Sequence, residues 1–527
     1  MHAPMDTRAD AAPVPSADRP QPPHRSAGPD EAPTPGETPG PDGAPGADDP
    51  GRPLHADGQW LATSGGARFP LVSPADGRDA GTLPLAGPAD VDRAVASARR
   101  ALRDPHWAGL DPVARAVLLE AFAAELEKNA PERAALTSVQ NGMPISTAVP
   151  AEGYAPAAIL RYHAALARNT PLEERRPRAD GAGHSHVRRL PAGVVAVVAP
   201  WNFPQPITMF KLAPALAAGC TVVLKPSPYT FLGARAIVAA AERAGLPPGV
   251  LNLLPGDDVT GAALVRHPGV DKVSFTGSTA AGRKVAAACA ELLRPVVLEL
   301  SSRSAAIVLD DADAEEIAAG LAAAALLHSG QACYMSTRVL VPRARHDEIT
   351  ARIAAAADAL PIGDPLDPQT RLGPLLSAAR RDRVRSRVAA ALADGGRLAT
   401  ARRAGDVPEQ GYFAEPAVLT GLDHSHPAVR EEIFGPVLCV VPYDGLDHAV
   451  ALANDSPYGL GGTIWTSDVE RALAVSRRVE TGTVGVNFFD LDLGAPYGGI
   501  KASGLGRELG PEGFDAYFRF QTVYTRT

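Results

Sequence analysis

The chain has 527 residues, a formal net charge of −8, 45% apolar residues and 21% charged residues. This length exceeds the size at which one hydrophobic core stops growing, so two or three subdomains are expected. The ordinary composition excludes a mostly disordered or membrane-embedded protein, and the acidic balance without a dense Lys/Arg run argues against nucleic-acid binding.

The beginning of the chain is dominated by Pro, Gly, Ala and Asp, with almost no large apolar side chain. Such a segment cannot offset the entropy of ordering, so we predict a disordered tail over residues 1–55. Met1 to Asp10 carry acidic residues instead of an apolar h-region, and this favours neither a signal nor a transit peptide. The longest apolar runs, such as Gly193 to Pro200, are far shorter than the roughly 20 residues that span a bilayer. We therefore expect a cytoplasmic protein with no membrane partner.

From Gln59 onwards the pattern is typical of a folded α/β protein. Helical periodicity is clear in 88–102 and 114–129. Residues 193–300 alternate short apolar runs with helical stretches, and strands without polar alternation indicate a parallel sheet covered on both faces. This pattern predicts a Rossmann-type, doubly wound nucleotide-binding domain.

Residues 303–500 repeat the alternation, with helices predicted at 314–327, 348–360, 378–393 and 469–480 and apolar strands at 338–341, 437–441 and 483–486. A second α/β domain is the simplest interpretation. The end of the chain, Phe514 to Tyr524, is aromatic and alternating, like a strand whose edge needs a partner. An oligomer would supply one.

The four cysteines contain no C-x-x-C spacing, so they predict neither a disulfide framework nor a metal site. Cys220, Cys289 and Cys439 lie in apolar runs and are expected to be small buried hydrophobes. Cys333 lies in the loop-like segment His-Ser-Gly-Gln-Ala-Cys-Tyr. It is therefore the candidate nucleophile, with a purely structural thiol as the alternative.

Two further polar residues follow predicted strands. Glu299 closes the apolar run 295–300, where a carboxylate would face a crevice, or else simply lie on the surface. Asn202 lies in Pro-Trp-Asn-Phe-Pro, where two prolines stiffen a turn after a buried strand. Its amide would point into the same crevice or form an ordinary Asx turn.

Several segments, in this order and spacing, closely resemble the aldehyde dehydrogenase superfamily from about residue 58 to the end. They are Pro-Trp-Asn-Phe-Pro at 200–204, Lys-Pro-Ser at 225–227, Phe-Thr-Gly-Ser at 275–278, Leu-Glu-Leu at 298–300, Gly-Gln-Ala-Cys at 330–333, Glu-Glu-Ile-Phe-Gly-Pro at 431–436 and Pro-Tyr-Gly-Gly-Ile-Lys-Ala-Ser-Gly-Leu-Gly-Arg-Glu at 496–508. The resemblance implies a dinucleotide-binding domain over 56–172 and 192–302 and a catalytic domain over 303–502. It also implies a small β oligomerisation element from 173–191 and 503–527, in a homodimer or homotetramer.

The resemblance implies a catalytic role for each of the three residues. Cys333 would attack the aldehyde carbonyl and carry the acyl group as a thioester. The Asn202 amide and the Cys333 backbone N–H would hold the oxyanion. Glu299 would be the general base that activates water, so that the product is a carboxylic acid.

The cofactor implied by the resemblance is NAD or NADP. Lys225 would bond the adenine-side ribose, Ser278 would meet the pyrophosphate at a helix N-terminus, Glu432 would bond the nicotinamide-side ribose and Phe434 would pack on the nicotinamide. The remaining expected cofactor contacts are Trp201, Ser227, Pro228 and Gly277.

Pro228 stands where NAD-specific members of the family carry a glutamate. Loss of that charge removes a penalty against the extra phosphate of NADP, with Lys225 and Ser227 as phosphate partners, so we expect NADP to be accepted. The alternative is that Pro228 only stiffens the turn and that Asp257 or Asp258 restores a negative field.

The substrate tunnel implied by the resemblance is aromatic and mostly apolar, which suits a medium hydrophobic or aromatic aldehyde. Its expected lining residues are Phe203, Phe210, Ala332, Tyr334, Phe488 and Phe489.

The main departure from the family pattern is Ser301-Ser302, where the family almost always has Gly-Gly after Leu-Glu-Leu. The added side chains enter a stretch that passes the cofactor and the cysteine loop closely, so they bear on the placement of Glu299. One alternative is therefore a weakly active or inactive scaffold protein. A second is a CoA-acylating semialdehyde dehydrogenase, although those relatives usually lack the glutamate that Glu299 supplies.

Overall fold

The computed structural model describes residues 49–526, apart from the side chains of Ala323 and Ala404. The predicted tail, 1–55, lies outside the described residues up to residue 48. Its last residues are folded, because the first strand begins at Leu54, whose side chain is fully buried. The tail boundary was therefore placed too late.

The part of the chain before residue 303 begins with short strands and then alternates helices and strands. Its strands are β1 Leu54–Ala56, β2 Gln59–Leu61, β3 Arg68–Val72, β4 Asp79–Pro84, β5 Glu173–Pro177, β6 His184–Pro191, β7 Val194–Val198, β8 Thr221–Lys225, β9 Leu251–Leu253, β10 Lys272–Thr276 and β11 Val296–Glu299. Its helices are α1 Pro88–Ala101, α2 Pro105–Ala108, α3 Pro112–Lys128, α4 Ala130–Asn141, α5 Ile145–Ala148, α6 Ala155–Asn169, α7 Pro204–Ala217, α8 Phe231–Arg243, α9 Asp258–Arg266 and α10 Thr279–Glu291. A π-helical turn, Val149–Tyr154, leads into α6, and a 3₁₀ turn, Pro228–Thr230, leads into α8.

The remaining chain has the same alternation. Its strands are β12 Ala305–Val308, β13 Arg338–Pro342, β14 Arg397–Leu398, β15 Ala417–Thr420, β16 Val437–Tyr443, β17 Tyr458–Gly459, β18 Gly462–Trp465, β19 Gly485–Val486, β20 Ile500–Lys501, β21 Gly504–Leu505 and β22 Phe518–Thr525. Its helices are α11 Ala314–Leu326, α12 His346–Asp358, α13 Ala378–Ala393, α14 Pro427–Arg430, α15 Leu446–Asn454, α16 Val469–Ser476 and α17 Gly510–Asp515, with 3₁₀ turns at Leu327–Gly330, Arg343–Arg345 and Ala404–Asp406.

The first large sheet has the strand order β2-β1-β9-β8-β7-β10-β11-β21. Strands β7 and β8 are buried along their whole length because helices cover both faces, and this explains their continuous Val/Leu runs. The chain runs from β7 outwards to β9 in one direction and from β10 to β11 in the other. The resulting switch point between β7 and β10 opens a crevice at the carboxyl ends of these strands. The predicted doubly wound α/β architecture is confirmed.

The second large sheet has the order β14-β15-β16-β13-β12-β18-β19 and is parallel except for β14. The connection between the two large sheets is short, because β11 ends at Glu299 and β12 begins at Ala305. The last strands of the chain belong to two different sheets. Strand β21 pairs with β11 in the first sheet, whereas β22 pairs with β6 in the third. Glu299, at the end of β11, therefore lies beside the start of the second sheet.

The third sheet has the order β5-β6-β22 and is antiparallel. Strand β22 pairs with β6 in a register that runs from Phe518↔Pro191 to Thr525↔His184. The aromatic strand at the chain end thus finds a partner in its own chain on one side, while its other edge is open within residues 49–526. Along this edge the Phe520 and Tyr524 side chains are 57% and 69% exposed.

Candidate active site

Two cavities meet at the switch point of the first sheet. The apolar cavity has about 500 Å³ and is lined by Ser146, Thr147, Pro150, Ala151, Ala155, Ala158, Ile159, Asn202, Phe203, Pro206, Ile207, Phe210, Thr276, Glu299, Leu327, Ala332, Cys333, Tyr334, Asp490, Leu491, Leu493, Tyr497 and Glu508. The polar cleft has about 180 Å³ and is lined by Pro200, Trp201, Asn202, Thr276, Gly277, Ser278, Leu300, Ser301, Cys333, Arg380, Arg383, Glu432, Ile433 and Phe434. Three residues, Asn202, Thr276 and Cys333, line both. The predicted nucleophile therefore lies where the two cavities join.

The loop that carries Cys333 is held in an unusual backbone conformation. After α11, the chain passes through three consecutive residues with left-handed φ, which are His328 at 49°, Ser329 at 54° and Gly330 at 75°. A Cβ on Gly330 would lie 2.1 Å from a backbone oxygen, so only glycine fits there. The Ser329 hydroxyl donates to the backbone oxygen of Gly373 at 2.7 Å, which anchors the turn. The strained turn is thus fixed by its surroundings and sets the position of Cys333.

The Asn202 amide lies against the same loop. It follows β7, and its Nδ2 donates to the backbone oxygen of Gln331 at 3.0 Å. The Asn141 side chain in turn donates to the backbone oxygens of Trp201 and Asn202, at 3.0 and 3.1 Å. An amide has two N–H groups. Since one of them is used by Gln331, the other can donate to an oxygen in the cavity.

The Cys333 thiol is near Tyr497, with 3.7 Å between Sγ and the phenol oxygen. The pKa of the Cys333 thiol is raised to about 12, mainly by burial; the Tyr497 contact opposes this rise, and the negative charges of Glu432 and Glu299 contribute to it. The thiol is therefore protonated at neutral pH in this geometry. Nucleophilic chemistry at Cys333 needs a nearby group that can take its proton.

Glu299 can take a proton, because its carboxyl group is buried at the end of β11, where the Gly499 backbone N–H lowers its pKa only weakly against burial. The side chain is 3% exposed, and neither oxygen accepts a hydrogen bond within residues 49–526. Burial raises the pKa of Glu299 well above 4.5, the nearby Glu508 carboxylate raises it further, and Lys211 and Arg507 oppose this shift. A carboxyl group with a raised pKa is matched to general acid–base work near neutral pH.

A buried ion pair between Lys211 and Glu508 acts electrostatically on Glu299. The Lys211 ammonium group, fully buried on α7, donates to the Glu508 carboxylate and to the Thr276 hydroxyl at 2.7 Å. Ser274 lies 3.5 Å from the same Glu508 oxygen. The sequence analysis missed Lys211, Glu508 and Tyr497. A lysine inside the mostly apolar α7 was an available signal for Lys211, since such a charge needs a buried partner.

The predicted cofactor residues divide between two places. Trp201, Gly277, Ser278, Glu432 and Phe434 line the polar cleft. Ser278 caps α10, where its hydroxyl accepts from the backbone N–H of Ala281 at 3.2 Å. The N-terminus of this helix borders the cleft at Ser278, and the positive end of the helix dipole favours an anion there.

Lys225, Ser227 and Pro228 lie at the end of β8, outside the lining of the polar cleft. The Lys225 ammonium group donates to the backbone oxygens of Gly256 and Asp257, at 3.0 and 3.2 Å. Burial lowers the pKa of Lys225 to about 8.

The serine pair that departs from the family pattern is accommodated without displacing Glu299 from the apolar cavity. Ser301 accepts a 3.4 Å hydrogen bond from the backbone N–H of Thr279, and Ser302 shares a 2.7 Å hydrogen bond with Ser304. The Ser302 backbone N–H donates to Glu432 at 3.0 Å. Burial raises the pKa of Glu432, and its bonds to the two serines lower it. The pair therefore acts on Glu432 in the polar cleft.

The predicted wall of the tunnel is partly corrected. Phe203, Phe210, Ala332 and Tyr334 line the apolar cavity. Phe488 is 63% exposed and Phe489 stacks on Tyr334 with ring centroids 4.9 Å apart, so neither lines it. The segment that follows contributes Leu491 and Leu493 instead. An aromatic pair in the sequence does not reveal which ring faces inward, since that depends on the path of the loop.

Neither a membrane-spanning helix nor a metal site is found in the part of the chain that the structure describes. No helix there has both the length and the apolar composition needed to cross a bilayer. No group of three or more His, Cys, Asp or Glu side chains is placed to hold a metal ion.

The comparisons with known proteins give one consistent result. Residues 60–523 match the family described as the aldehyde dehydrogenase family. A geranial dehydrogenase of Castellaniella defragrans is 48% identical over 477 residues, which cover 89% of this chain and 98% of the relative. The putative aldehyde dehydrogenase DhaS of Bacillus subtilis is 37% identical over 89% of this chain and 95% of its own length.

Solved structures agree with the sequence comparisons. A mutant of aldehyde dehydrogenase C from Pseudomonas syringae, in complex with NAD+ and octanal, is 37% identical with a TM-score of 0.85, covering 90% of this chain and 96% of that chain. An aldehyde dehydrogenase of Mycobacterium tuberculosis in complex with NAD+ is 39% identical with a TM-score of 0.86, covering 90% and 97%.

Proposed function

This chain belongs to the aldehyde dehydrogenase family, and from that premise we propose that it oxidises an aldehyde to a carboxylic acid with NAD or NADP. The observation that carries the proposal is the position of Cys333 and Asn202 at the junction of an apolar cavity and a polar cleft. A nucleophile at that junction can touch a substrate on one side and a cofactor on the other. This is the arrangement that an aldehyde oxidation through a covalent intermediate requires.

The residues of the polar cleft fit a dinucleotide. The N-terminus of α10 at Ser278 suits phosphate oxygens, the buried Glu432 carboxylate suits ribose hydroxyls, and Phe434 offers a ring face for stacking. When bound, the nicotinamide supplies the hydride acceptor that the reaction needs. Several relatives of known structure contain NAD+, which supports the same assignment here.

The first chemical step is attack of the Cys333 sulfur on the aldehyde carbon. The S–C bond forms as the thiol proton leaves to a base, and the carbonyl oxygen becomes an oxyanion. The free N–H of the Asn202 amide and the Cys333 backbone N–H are the donors for that oxyanion, and in other enzymes the loss of one such donor costs about 3 kcal/mol. Loss of hydride from the carbon then leaves an acyl thioester on Cys333.

Hydrolysis of the thioester completes the reaction. Glu299 takes a proton from a water molecule, the water oxygen bonds to the acyl carbon, and the C–S bond breaks to release Cys333 and a carboxylic acid. The Lys211–Glu508 ion pair shifts the pKa of Glu299 through its two charges, so it tunes the base.

The apolar cavity favours an uncharged substrate. Apolar side chains form most of its wall, and Glu299, Asp490 and Glu508 are the carboxyl groups that line it. Within the described residues, the lining contains no Arg, Lys or His that could pair with a second carboxylate. We infer a medium-length apolar aldehyde as substrate. This is supported by one relative that is named a geranial dehydrogenase and by another whose crystal structure contains octanal.

The two alternatives predict different products. A CoA-acylating enzyme would transfer the acyl group to CoA instead of water, and an inactive scaffold would form no product. The buried, unpartnered Glu299 supports hydrolysis because its raised pKa suits a base for water. The Ser301 and Ser302 contacts support an intact site, because they engage Glu432 instead of blocking Cys333.

A kinetic assay tests the proposal. Formation of NADH or NADPH is measured with geranial, octanal, an aromatic aldehyde and a short semialdehyde, each with and without CoA. We expect turnover of the apolar aldehydes, a free acid as product and no dependence on CoA. Failure of every aldehyde would support the scaffold alternative, and a requirement for CoA would support acyl transfer.

We also propose a homodimer or homotetramer located in the cytoplasm. Support for the assembly comes from the open edge of β22 with its exposed aromatic side chains.

A further inference from the structure

The polar cleft contains a cation, Arg380, on which the Glu432 carboxylate of the same cleft acts electrostatically, but without an ion-pair contact among residues 49–526. Arg380 lies in the first turn of α13, and its side chain and that of Arg383 line the cleft from one face of this helix. The part of the chain that the structure describes provides no hydrogen bond or ion pair to the Arg380 guanidinium. The guanidinium contacts the aromatic rings of Trp201 and Phe434.

Other arginines of the same helix are paired. Arg381 donates to Asp382 and to the Gly411 backbone oxygen at 2.9 and 3.2 Å, Arg385 reaches Glu415 at 3.4 Å, and Arg387 donates to Glu431. These three face the surrounding protein, whereas Arg380 faces the cleft. The unpaired state of Arg380 therefore follows from its position in the cleft and is not general to α13.

The aromatic rings hold the Arg380 guanidinium in place. Its central carbon is 4.4 Å from the Trp201 ring centroid and 5.8 Å from that of Phe434, and these two rings contact each other edge to face at 5.6 Å. Stacking occupies the faces of a guanidinium and leaves its N–H groups, which lie in its plane, available to donate. Burial lowers the pKa of Arg380, yet an arginine side chain stays charged at neutral pH. A partly dehydrated cation is thus fixed beside the cleft.

The anion that matches this cation is a pyrophosphate. The cleft also contains Ser278 at the N-terminus of α10, which attracts an anion, and Glu432, whose oxygen is already bonded to the Ser302 N–H. We propose that Arg380 binds the pyrophosphate of the dinucleotide, with one or two charge-assisted hydrogen bonds, and thereby determines cofactor affinity. The proposal rests on the function proposed above and adds a binding residue that lies outside every motif of the sequence analysis.

Binding measurements on the purified full-length protein test this role. NADH and NADPH are titrated by fluorescence, and ADP-ribose and AMP are measured by competition against NADH. Arg380→Met keeps an apolar stem over Trp201, Arg380→Lys keeps a charge, and Arg381→Met is the matched control on the same helix. Thermal unfolding of each variant shows whether it is folded.

We expect Arg380→Met to weaken NADH, NADPH and ADP-ribose by about tenfold to a hundredfold, the range for a hydrogen bond to a charged group. AMP, which has no pyrophosphate, should change less than about twofold, Arg380→Lys should recover part of the loss, and Arg381→Met should bind like the wild type.

Three results would overturn the assignment. Equal losses for AMP and ADP-ribose would show a distorted cleft, a loss confined to NADPH would place the anion at the 2′-phosphate, and unchanged binding would remove any role for Arg380. A wild-type protein that binds NADH but oxidises no aldehyde would contradict the proposed function while leaving the Arg380 result intact.

Discussion

Glu299 combines two properties at the scale of a single residue: it is buried, and its carboxylate oxygens accept no hydrogen bond within residues 49–526. In the proposed mechanism this carboxyl group is needed after hydride loss, when water attacks the thioester. We predict that Glu299→Gln retains a single-turnover burst of NADH or NADPH and loses steady turnover by about a hundredfold or more. Rapid-mixing absorbance separates the two phases.

The control for this variant is Cys333→Ala, which should lose both the burst and the steady rate while still binding dinucleotide. An undiminished steady rate in Glu299→Gln would show that another group activates the water. If the thioester trapped in denatured protein were found on Cys220, Cys289 or Cys439, the assignment of Cys333 as the nucleophile would be wrong.

Glu299 also makes stability depend on pH. Its pKa in the folded protein is raised well above 4.5, mainly by burial, so above pH 4.5 the unfolded chain releases a proton that the folded protein keeps. The contribution of this group to stability is therefore lost progressively as pH rises from about 4.5 towards the raised folded pKa. Glu299→Gln removes this titration, so its stability relative to the wild type should increase with pH.

Unfolding temperatures measured between about pH 5 and pH 9 would show this, with a gain of roughly 1–4 °C for Glu299→Gln at the alkaline end. The same substitution at the exposed Glu409 serves as the control and should give no pH-dependent gain. A difference between wild type and Glu299→Gln that shrinks as pH rises would contradict the sign of this linkage.

At the scale of secondary structure, α6 and its π-helical turn shape the apolar cavity. Ala151, Ala155 and Ala158 all line it, and π-helical turns inside α-helices are frequent near functional sites. These small side chains leave width in the cavity next to Ile159 and Ile207. The alanine face therefore provides room for a branched substrate.

We predict that Ala155→Leu lowers kcat/KM for geranial by about tenfold or more relative to octanal, because added methyl groups exclude the methyl branches of the substrate first. The matched control is Ala165→Leu, the same change at an exposed position of α6, which should leave the ratio unchanged. Equal losses for both aldehydes would show that the alanine face does not select for branching.

The 3₁₀ turn that begins at Pro228 bears on the choice of dinucleotide. It follows β8 directly, near Lys225, and Asp257 is already committed to capping α9 through the N–H groups of Val259 and Thr260. Asp258 and Asp257 also act on Lys225, because their charges raise its pKa against the effect of burial, and this is the negative field of the alternative interpretation. Position 228 itself carries no charge, and on this ground we keep the prediction that NADP is accepted.

We predict that Pro228→Glu raises the kcat/KM ratio of NAD to NADP by about tenfold, since a carboxylate accepts from ribose hydroxyls and repels the 2′-phosphate. Pro228→Gln separates the effect of charge from the loss of a rigid turn residue and should change the ratio less. The idea fails if the wild type already rejects NADP or if both variants behave alike.

At the scale of the whole molecule, the small antiparallel sheet lies apart from both cavities and has an open edge at β22. Phe520 is 57% exposed there, with the Arg189 guanidinium 5.5 Å from its ring centroid. An exposed aromatic edge strand of this length is expected to pair with another chain. We predict a dimer or tetramer that Phe520→Asp dissociates at micromolar concentration, as measured by light scattering.

Val259→Asp, the same type of change at another exposed apolar side chain, is the control and should leave the mass unchanged. Removal of residues 1–48 should change neither the number of subunits nor the activity, because β1 begins only at Leu54. A wild-type monomer would contradict the assembly.

The sequence by itself was sufficient to predict the doubly wound sheet, and it named Cys333, Glu299 and Asn202 as candidates, whose roles stay predictions. The reason is that these properties are local. Buried parallel strands such as β7 and β8 need continuous apolar runs, and polar residues at their carboxyl ends face the crevice.

Tertiary structure decided the rest, because the decisive contacts join distant parts of the chain. Lys211 meets Glu508 across 297 residues, and Tyr497 reaches the Cys333 thiol across 164. Phe488 turns outward although its neighbour Phe489 stacks on Tyr334. Arg380 becomes a cleft residue only because α13 packs beside Trp201 and Phe434. Such pairings depend on how loops and helices are packed in three dimensions, and no local pattern of residue types encodes them.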